Sequence, residues 1–175
     1  MHVVIMGVAG SGKTTLAVEL TRRLGWPYAE ADDFHPRGNV AKMAAGVPLT
    51  DEDRWPWLEA IRDWLTAQAR AGRSTVVTCS ALRLAYRDVL RQAEGRVRFV
   101  HLTADPALLR ERLAQRSGHF MPATLLASQL ETLETLVAGE DGIVLTVDAP
   151  PGVIADRAIG LLGLESPPGH TMPDA

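Results

Sequence analysis

Eight residues near the amino terminus, GVAGSGKT at positions 7–14, constrain the fold of this chain more than any other segment. They match the pattern G-x-x-x-x-G-K-[S/T], with an apolar run before them and a helical pattern after them. Glycines let backbone N–H groups curve around phosphate oxygens, and the following helix directs its positive end at the anion. The segment therefore predicts a nucleotide-binding phosphate loop. In it, Lys13 reaches the β- and γ-phosphates and Thr14 places its hydroxyl on Mg²⁺.

Short apolar, β-branched runs alternate with longer helical patterns along the chain, which indicates a parallel sheet covered by helices on both faces. Strands are predicted at residues 3–6, 26–31, 74–79, 98–102 and 143–147. Helices are predicted at residues 14–24, 53–71, 86–92, 105–116, 124–136 and 153–162. Residues 1–164 are predicted to form one domain, and the proline-rich residues 165–175 a disordered tail.

Composition excludes several classes of protein. The 175 residues include 18 basic and 21 acidic ones, a net charge of −3 that argues against a nucleic-acid binder. No apolar run approaches the roughly 18 residues of a membrane span, and no signal-peptide pattern is visible, so the prediction is a cytoplasmic protein with no membrane contact. Cys79 is the only cysteine, which excludes a disulfide framework and a multi-cysteine metal site.

Sequence features outside the phosphate loop indicate which class of nucleotide-binding protein this chain belongs to. The only asparagine, Asn39, is followed by valine, so the Asn-Lys-x-Asp guanine reader of GTPases is absent. The predicted strand at 74–79 ends without the carboxylate that a motor or transporter ATPase carries there. Only Lys13 and Lys42 are lysines among the 18 basic residues, which favours a compact point charge at these two positions. These features favour a small-molecule kinase.

An acidic segment, EADDFHP at positions 30–36, follows the second predicted strand. The carboxyl ends of parallel strands face the ligand crevice, so these carboxylates are expected on the same edge as the phosphate loop. Alternation along an extended strand end places Glu30 and Asp32 on one side and Asp33 on the other. We therefore predict that Asp32 orients, and deprotonates, an attacking hydroxyl. The alternative is an acidic surface loop that caps a helix.

With these blocks in view, the chain resembles the small P-loop gluconokinases, which are relatives of shikimate kinase. The blocks that carry the resemblance occur in family order over about residues 1–160: GVAGSGKT (7–14), ADDFHP (31–36), GVPLTDEDRWPWL (46–58), CSAL (79–82), RSGHFM (116–121) and QLETLE (129–134). The resemblance implies an α/β/α sandwich with a five-stranded parallel sheet in the order 2-3-1-4-5. It implies ATP- and Mg²⁺-dependent phosphorylation of the 6-hydroxyl of D-gluconate. The family also suggests a homodimer, for which the residues themselves give no separate indication.

The resemblance and the chemistry of the residues together assign the site. The residues expected to be catalytic are Lys13, Asp32 and Arg116. The residues expected to hold the nucleotide are Gly7, Ala9, Gly10, Ser11, Gly12, Lys13, Thr14, Thr15 and Arg112, with Thr14 on the metal. The residues expected to bind the substrate are Asp32, His35, Asn39, Lys42, Arg54, Ser80 and Gln129.

Two of these assignments have specific alternatives. Arg54 suits the gluconate carboxylate, but an ion pair with Asp51 or Asp53 at the surface would use the same residue. Arg112 and Arg116 suit a lid at residues 112–122 that brings positive charge to the phosphates, but arginines at a helix end also complement the helix dipole. A substrate-binding excursion is expected at residues 34–72. Glu30 stands where the relatives often have aspartate, and its contribution to the metal site is left open.

Two rival functions remain at this point. One is a different small-molecule P-loop kinase, acting on a shikimate-like compound or a nucleoside. The other is a nucleotide-binding module without turnover.

Overall fold

The computed structural model describes residues 1–115 and 123–164. Five parallel strands form one sheet in the order β2-β3-β1-β4-β5, as the resemblance implied. The strands are β1 (His2–Met6), β2 (Tyr28–Glu30), β3 (Thr75–Thr78), β4 (Val97–Thr103) and β5 (Gly142–Thr146). The central strand, β1, is completely buried because β3 and β4 pair with it on either side.

Helices connect the strands and cover both faces of the sheet. Those within the described residues are α1 (Lys13–Leu24), α2 (Arg37–Ala44), α3 (Asp51–Arg70), α4 (Leu84–Leu90), α5 (Pro106–Gln115), α6 (Ala123–Thr132) and α7 (Pro151–Leu162). No helix in this part of the chain combines the length and the apolar character that crossing a bilayer requires.

Two apolar clusters hold the layers together. Leu16 and Leu20 of α1 pack with Ile154 and Ala158 of α7 on one face of the sheet. On the opposite face the cluster includes residues of α3 and α4, namely Trp57, Leu58, Ile61, Leu65, Tyr86 and Leu90. Because α1 and α7 cover one face and α3 and α4 the other, the central strands of the sheet are buried on both faces, as expected for parallel strands.

The helix expected at residues 53–71 begins two residues earlier, at Asp51. Thr50 caps it: its hydroxyl accepts the N–H of Asp53 at 3.3 Å, and the Asp53 carboxylate accepts the N–H of Thr50 at 3.0 Å. This reciprocal capping box satisfies two N–H groups that the helix would otherwise leave unpaired. Pro56 consequently lies in the second turn of α3 and not in the first.

Three further segments differ from the sequence prediction. The second strand ends at Glu30, and a 3₁₀ helix follows at Ala31–Phe34, so the assumption of strand alternation through Asp33 was wrong. The short helix α2 was not predicted. The helix expected at 124–136 ends at Thr132, because the next segment turns toward α4, where the N–H of Glu134 donates to the carbonyl oxygen of Leu82 at 2.7 Å.

Candidate active site

The phosphate loop lies between the end of β1 and the start of α1. Gly7 has a φ of 136°, and a Cβ at this position would lie 2.7 Å from the carbonyl oxygen of Leu102. Any other residue would therefore be strained here. Lys13 folds back along the loop and donates from Nζ to the carbonyl oxygens of Gly7 and Val8, each at 3.0 Å. Its ammonium group is thereby held against the loop backbone.

Residues from distant parts of the chain contact this loop. The backbone N–H of Ala9 donates to Oε1 of Gln129, on α6, at 2.7 Å. The N–H of Gly7 donates to the carbonyl oxygen of Ser80 at 3.3 Å, so the segment after β3 borders the loop. Within the described residues, the buried Oγ of Ser11 has no hydrogen-bond partner. An unpaired buried polar atom in a loop of this shape is suited to a ligand that accepts or donates a hydrogen bond.

Glu30, the last residue of β2, lies beside the start of α1. Its oxygens accept from the hydroxyls of Tyr28 and Thr78, and it also hydrogen-bonds to Thr14. Burial raises the pKa of Glu30, but these hydrogen bonds and the charge of Lys13 together bring it below its ordinary value. An ionised Glu30 therefore lies beside the Thr14 hydroxyl.

Asp32 is exposed and lies on the 3₁₀ helix that follows β2. Burial raises the pKa of the Cys79 thiol to about 12, with a smaller increase from the negative charge of Asp32 and a decrease from Lys13. The charges of Asp32 and Lys13 therefore both act on the same buried residue. Asp32 follows β2 and the phosphate loop follows β1, so both lie at the carboxyl edge of the parallel sheet.

His35 is held between the 3₁₀ helix and α3. Its ring stacks on Trp57 with the centroids 4.4 Å apart, and the indole N–H of Trp57 donates to the carbonyl oxygen of Ala31 at 2.6 Å. Burial lowers the pKa of His35, the charge of Asp32 raises it, and the charge of Arg54 lowers it further. The net effect is a decrease, which favours a neutral imidazole at pH 7.

The other predicted substrate residues of the excursion contact α3. Asn39 is buried and donates from Nδ2 to the carbonyl oxygen of Asp53 at 2.7 Å. Lys42 donates to both carboxylate oxygens of Asp53, at 2.6 and 2.8 Å. Arg54 lies 3.4 Å from Asp51 and 3.3 Å from the Tyr86 hydroxyl. Asn39 and Lys42 thus fasten α2 to the start of α3, whereas Arg54 faces α4.

A cleft of about 440 Å³ adjoins the phosphate loop on the side of α5 and α7. Its walls include Gly12, Thr15, Arg112 and Pro151. The guanidinium of Arg112 lies 3.5 Å from the carbonyl oxygen of Gly10. The cleft therefore adjoins the loop, and its volume is within the range of small-molecule sites.

Comparison with known proteins decides the family. The profile of a family described as "AAA domain" matches residues 3–136. A gluconokinase of Gluconobacter oxydans (strain 621H) is 49% identical over 158 residues, which are 89% of this chain and 88% of the relative. The chain belongs to the gluconokinase family. The resemblance inferred from the sequence motifs is thereby confirmed.

Solved structures agree with the gluconokinase assignment. A gluconokinase from Sinorhizobium meliloti 1021 superposes with a TM-score of 0.82 at 42% identity, covering 93% of this chain and 91% of that one. An unliganded sugar kinase from Janibacter sp. HTCC2649 gives a TM-score of 0.87 at 52% identity, covering 93% and 94%. The predicted P-loop kinase fold is therefore confirmed.

Some of the residues predicted for the gluconokinase site lie outside the described residues. Arg116 is one, as is the remainder of the predicted lid after Gln115. The predicted tail at 165–175 also lies outside them. The roles assigned to these segments stay predictions.

The sequence reasoning missed several residues that position the site. Tyr28 precedes Glu30 by two residues on the same strand, and this spacing could have identified it, since alternate residues share a face. Trp57 is another, because it supports both His35 and the 3₁₀ helix. Arg83 gave no signal of its own, because its partner Asp51 lies 32 residues away in the chain.

Proposed function

We propose that this protein transfers the γ-phosphoryl group of ATP to the 6-hydroxyl of D-gluconate, giving 6-phospho-D-gluconate. The observation that carries the proposal is that Lys13, in the phosphate loop after β1, and Asp32, after β2, both lie at the carboxyl edge of one parallel sheet, in a chain of the gluconokinase family. A phosphate-loop lysine and a carboxylate on one sheet edge supply the two groups that phosphoryl transfer to a hydroxyl requires.

In this reaction the phosphate loop binds the β- and γ-phosphates through its N–H groups, and Lys13 stabilises the charge that develops on the transferred group. Asp32 orients the 6-hydroxyl and accepts its proton. Because phosphoryl transfer has a loose transition state, the positioning of the 6-hydroxyl by Asp32 contributes more to the rate than the basicity of the Asp32 carboxylate does. The nucleotide is held by Gly7, Ala9, Gly10, Ser11, Gly12, Lys13, Thr14, Thr15 and Arg112. Arg116 is proposed to add positive charge from the lid.

The residues beside the phosphate loop suit Mg²⁺. Within residues 1–115 and 123–164, no three His, Cys, Asp or Glu side chains cluster as a metal site of their own. Mg²⁺ typically takes one or two protein oxygens together with substrate phosphates and water, so a sparse site is expected. Thr14 would supply a hydroxyl ligand, and the ionised Glu30 beside it would hold a metal-bound water. The bound ion would neutralise charge on the phosphates.

Substrate recognition is proposed to come from the excursion and the neighbouring strand ends. Arg54 binds the carboxylate, and the hydroxyls are bound by Asp32, His35, Asn39, Lys42 and Ser80, whereas Gln129 orients the phosphate loop through its contact with Ala9. The contacts of Asn39 and Lys42 with Asp53 support a second role for both, since they hold α2 in place.

Residues 1–164 are proposed to form a single domain, in which residues 34–72 form the substrate-binding excursion and residues 112–122 form the lid. A cytoplasmic location would suit an enzyme that draws on ATP.

The test is ADP release in the presence of ATP, Mg²⁺ and one acceptor at a time, chosen from gluconate, shikimate, other sugar acids and nucleosides. We expect release with gluconate. Release with shikimate or a nucleoside instead would favour a different small-molecule kinase. ATP binding without release on any acceptor would favour a binding module.

Lys13→Ala links this activity to the site. We expect kcat to fall by about 10³-fold while the circular dichroism spectrum and Tm stay near those of the wild type, since charge clamps on a transferring phosphoryl are among the largest catalytic contributions. A variant with near-wild-type kcat would contradict the assignment of the phosphate loop.

A further inference from the structure

A single carboxylate, that of Asp51, is bound by three side chains at the junction of α3 and α4. Its Oδ1 accepts from the Tyr86 hydroxyl at 2.6 Å and lies 3.4 Å from Nη1 of Arg54. Its Oδ2 accepts from Nη1 of Arg83 at 2.6 Å. The guanidinium carbons of both arginines lie 5.8 Å from the centroid of the Tyr86 ring. The guanidinium groups of Arg54 and Arg83 and the hydroxyl of Tyr86 thus surround the position that the Asp51 carboxylate fills.

The charges in the cluster formed by Asp51, Arg54, Arg83 and Tyr86 do not balance. Arg54 and Arg83 contribute two positive charges and Asp51 one negative charge, so the cluster has an excess positive charge. The three charged side chains are 32%, 42% and 35% exposed, in that order, so a dissolved anion can reach them. Asp51 is also not required to cap α3, because Thr50 and Asp53 already do so.

Packing against neighbouring elements restricts the motion of the cluster. Tyr86 is buried, and its ring packs edge-on against Trp55 with the centroids 5.5 Å apart. Arg83 is the residue that immediately precedes α4. Donors on such elements lose little freedom when they bind a ligand, which favours selective recognition.

His35 connects the 3₁₀ helix that carries Asp32 with the start of α3, because its ring stacks on Trp57, which lies one turn beyond Arg54. The charges of Asp32 and Arg54 both act on His35, so the proposed catalytic carboxylate and the cluster both lie within electrostatic range of this imidazole. A substrate that presents a hydroxyl to Asp32 and carries a carboxylate at its other end would extend past His35 toward Arg54 and Arg83.

We infer that Arg83, together with Arg54 and the Tyr86 hydroxyl, forms the subsite for the substrate carboxylate, and that Asp51 occupies this subsite until substrate replaces it. This inference rests on the proposed function, and it adds Arg83 as a residue that determines specificity for an acid over a neutral polyol.

The first test measures selectivity for the carboxylate. The dissociation constants of D-gluconate and of its neutral analogue D-gluconamide are measured by calorimetry with a non-hydrolysable ATP analogue present. In Arg83→Met, the preference for gluconate over gluconamide should fall about tenfold, because a hydrogen bond to a charged group is lost. Arg83→Lys should give an intermediate preference, since it keeps the charge but loses the planar fork.

Arg91→Met is the matched control, because Arg91 follows α4 directly and pairs with Asp88 at the surface. It should keep the wild-type preference. An unchanged preference in Arg83→Met, with gluconate still bound by the wild type, would overturn the inference about Arg83 alone. Failure of the wild type to bind gluconate at all would instead overturn the proposed function.

The second test concerns Asp51. If Asp51 competes with the substrate for the two arginines, Asp51→Asn should lower the KM for gluconate by roughly threefold, the size expected for a partly exposed ion pair. The KM for ATP should not change. A raised KM for gluconate would show that Asp51 supports the subsite from its present position and would overturn the displacement.

Discussion

Ala9 in the phosphate loop donates its backbone N–H to the side-chain oxygen of Gln129 at 2.7 Å, joining two residues that are 120 positions apart. The contact ties α6 to the loop that is proposed to bind the nucleotide. Gln129 had been assigned to the substrate from the resemblance, but in this structure its oxygen contacts the loop.

Gln129→Leu should therefore affect the nucleotide more than the sugar acid. We expect the KM for ATP to change several-fold, since the loop N–H loses the partner that orients it, while the KM for gluconate changes less than about twofold. Steady-state kinetics with each substrate varied in turn measure both values. Ser128→Ala, an exposed neighbour on α6, is the control and should leave both unchanged. A larger effect on gluconate than on ATP would return Gln129 to the substrate site.

Adjacent carboxylates on the 3₁₀ helix provide a second prediction. Asp32 acts electrostatically on His35 and Cys79, at the end of β3. Asp32→Asn keeps the shape of the side chain and removes its charge, so kcat should fall about 10²-fold or more, as for the loss of a general base. Asp33→Asn is the matched control and should lower kcat much less than Asp32→Asn does. If the two variants rank in the opposite order, the proton acceptor is Asp33.

Glu30 provides a prediction about the metal. Because its carboxylate hydrogen-bonds to Thr14, Glu30→Gln should raise the Mg²⁺ concentration for half-maximal activity about tenfold, the size typical of groups that support metal ligands. The Mg²⁺-dependent part of ATP binding, measured by calorimetry, should weaken in parallel. Glu19→Gln, which changes a surface carboxylate of α1, should have no effect. An unchanged Mg²⁺ requirement would leave Glu30 as a structural partner of Tyr28 and Thr78.

The buried ion pair of Arg87 and Glu140 provides a prediction about stability. The two side chains are 0% and 1% exposed, and Nε of Arg87 donates to Glu140 at 2.6 Å. Arg87 also donates to the carbonyl oxygens of Ala81 and Glu134, at 3.1 and 3.0 Å. Arg87→Met would leave a buried carboxylate unpaired, so the free energy of unfolding in urea should fall by about 3–5 kcal/mol. Asp88→Asn, on the exposed side of α4, should change it by less than about 0.5 kcal/mol.

The same pair gives the stability a dependence on pH. Burial raises the pKa of Glu140, but the hydrogen bonds from Arg87 and from the N–H of Val137 lower it by more, so the pKa of Glu140 in the folded protein lies below its ordinary value. A carboxyl with a depressed folded pKa stabilises the protein above its unfolded pKa and loses this contribution as pH falls through the folded value. In Glu140→Gln the loss of stability below about pH 4.5 should be shallower than in the wild type, as followed by urea unfolding at several pH values. Parallel pH profiles would contradict this.

Local patterns in the sequence were sufficient for the phosphate loop and most of the helices, whereas the strand order was predicted only from the resemblance to the family. A glycine-rich turn between a strand and a helix needs no distant partner to be recognised, because its hydrogen bonds and its positive φ angles are local. The apolar periodicity of α1 and α7 is equally local, and the structure buries the side chains that this periodicity selects.

Tertiary structure decided the features whose partners are distant in the chain. The helix α6 ends at Thr132, and not at 136 as expected, because the following segment bonds to Leu82 and Arg87. The 3₁₀ helix that carries Asp32 is supported by Trp57, which lies 26 residues beyond its contact at Ala31. The Arg87–Glu140 pair spans 53 residues. Periodicity and turn chemistry describe only a few neighbouring residues, whereas these contacts depend on how whole elements pack, so the sequence determined the type of site and packing determined the partners within it.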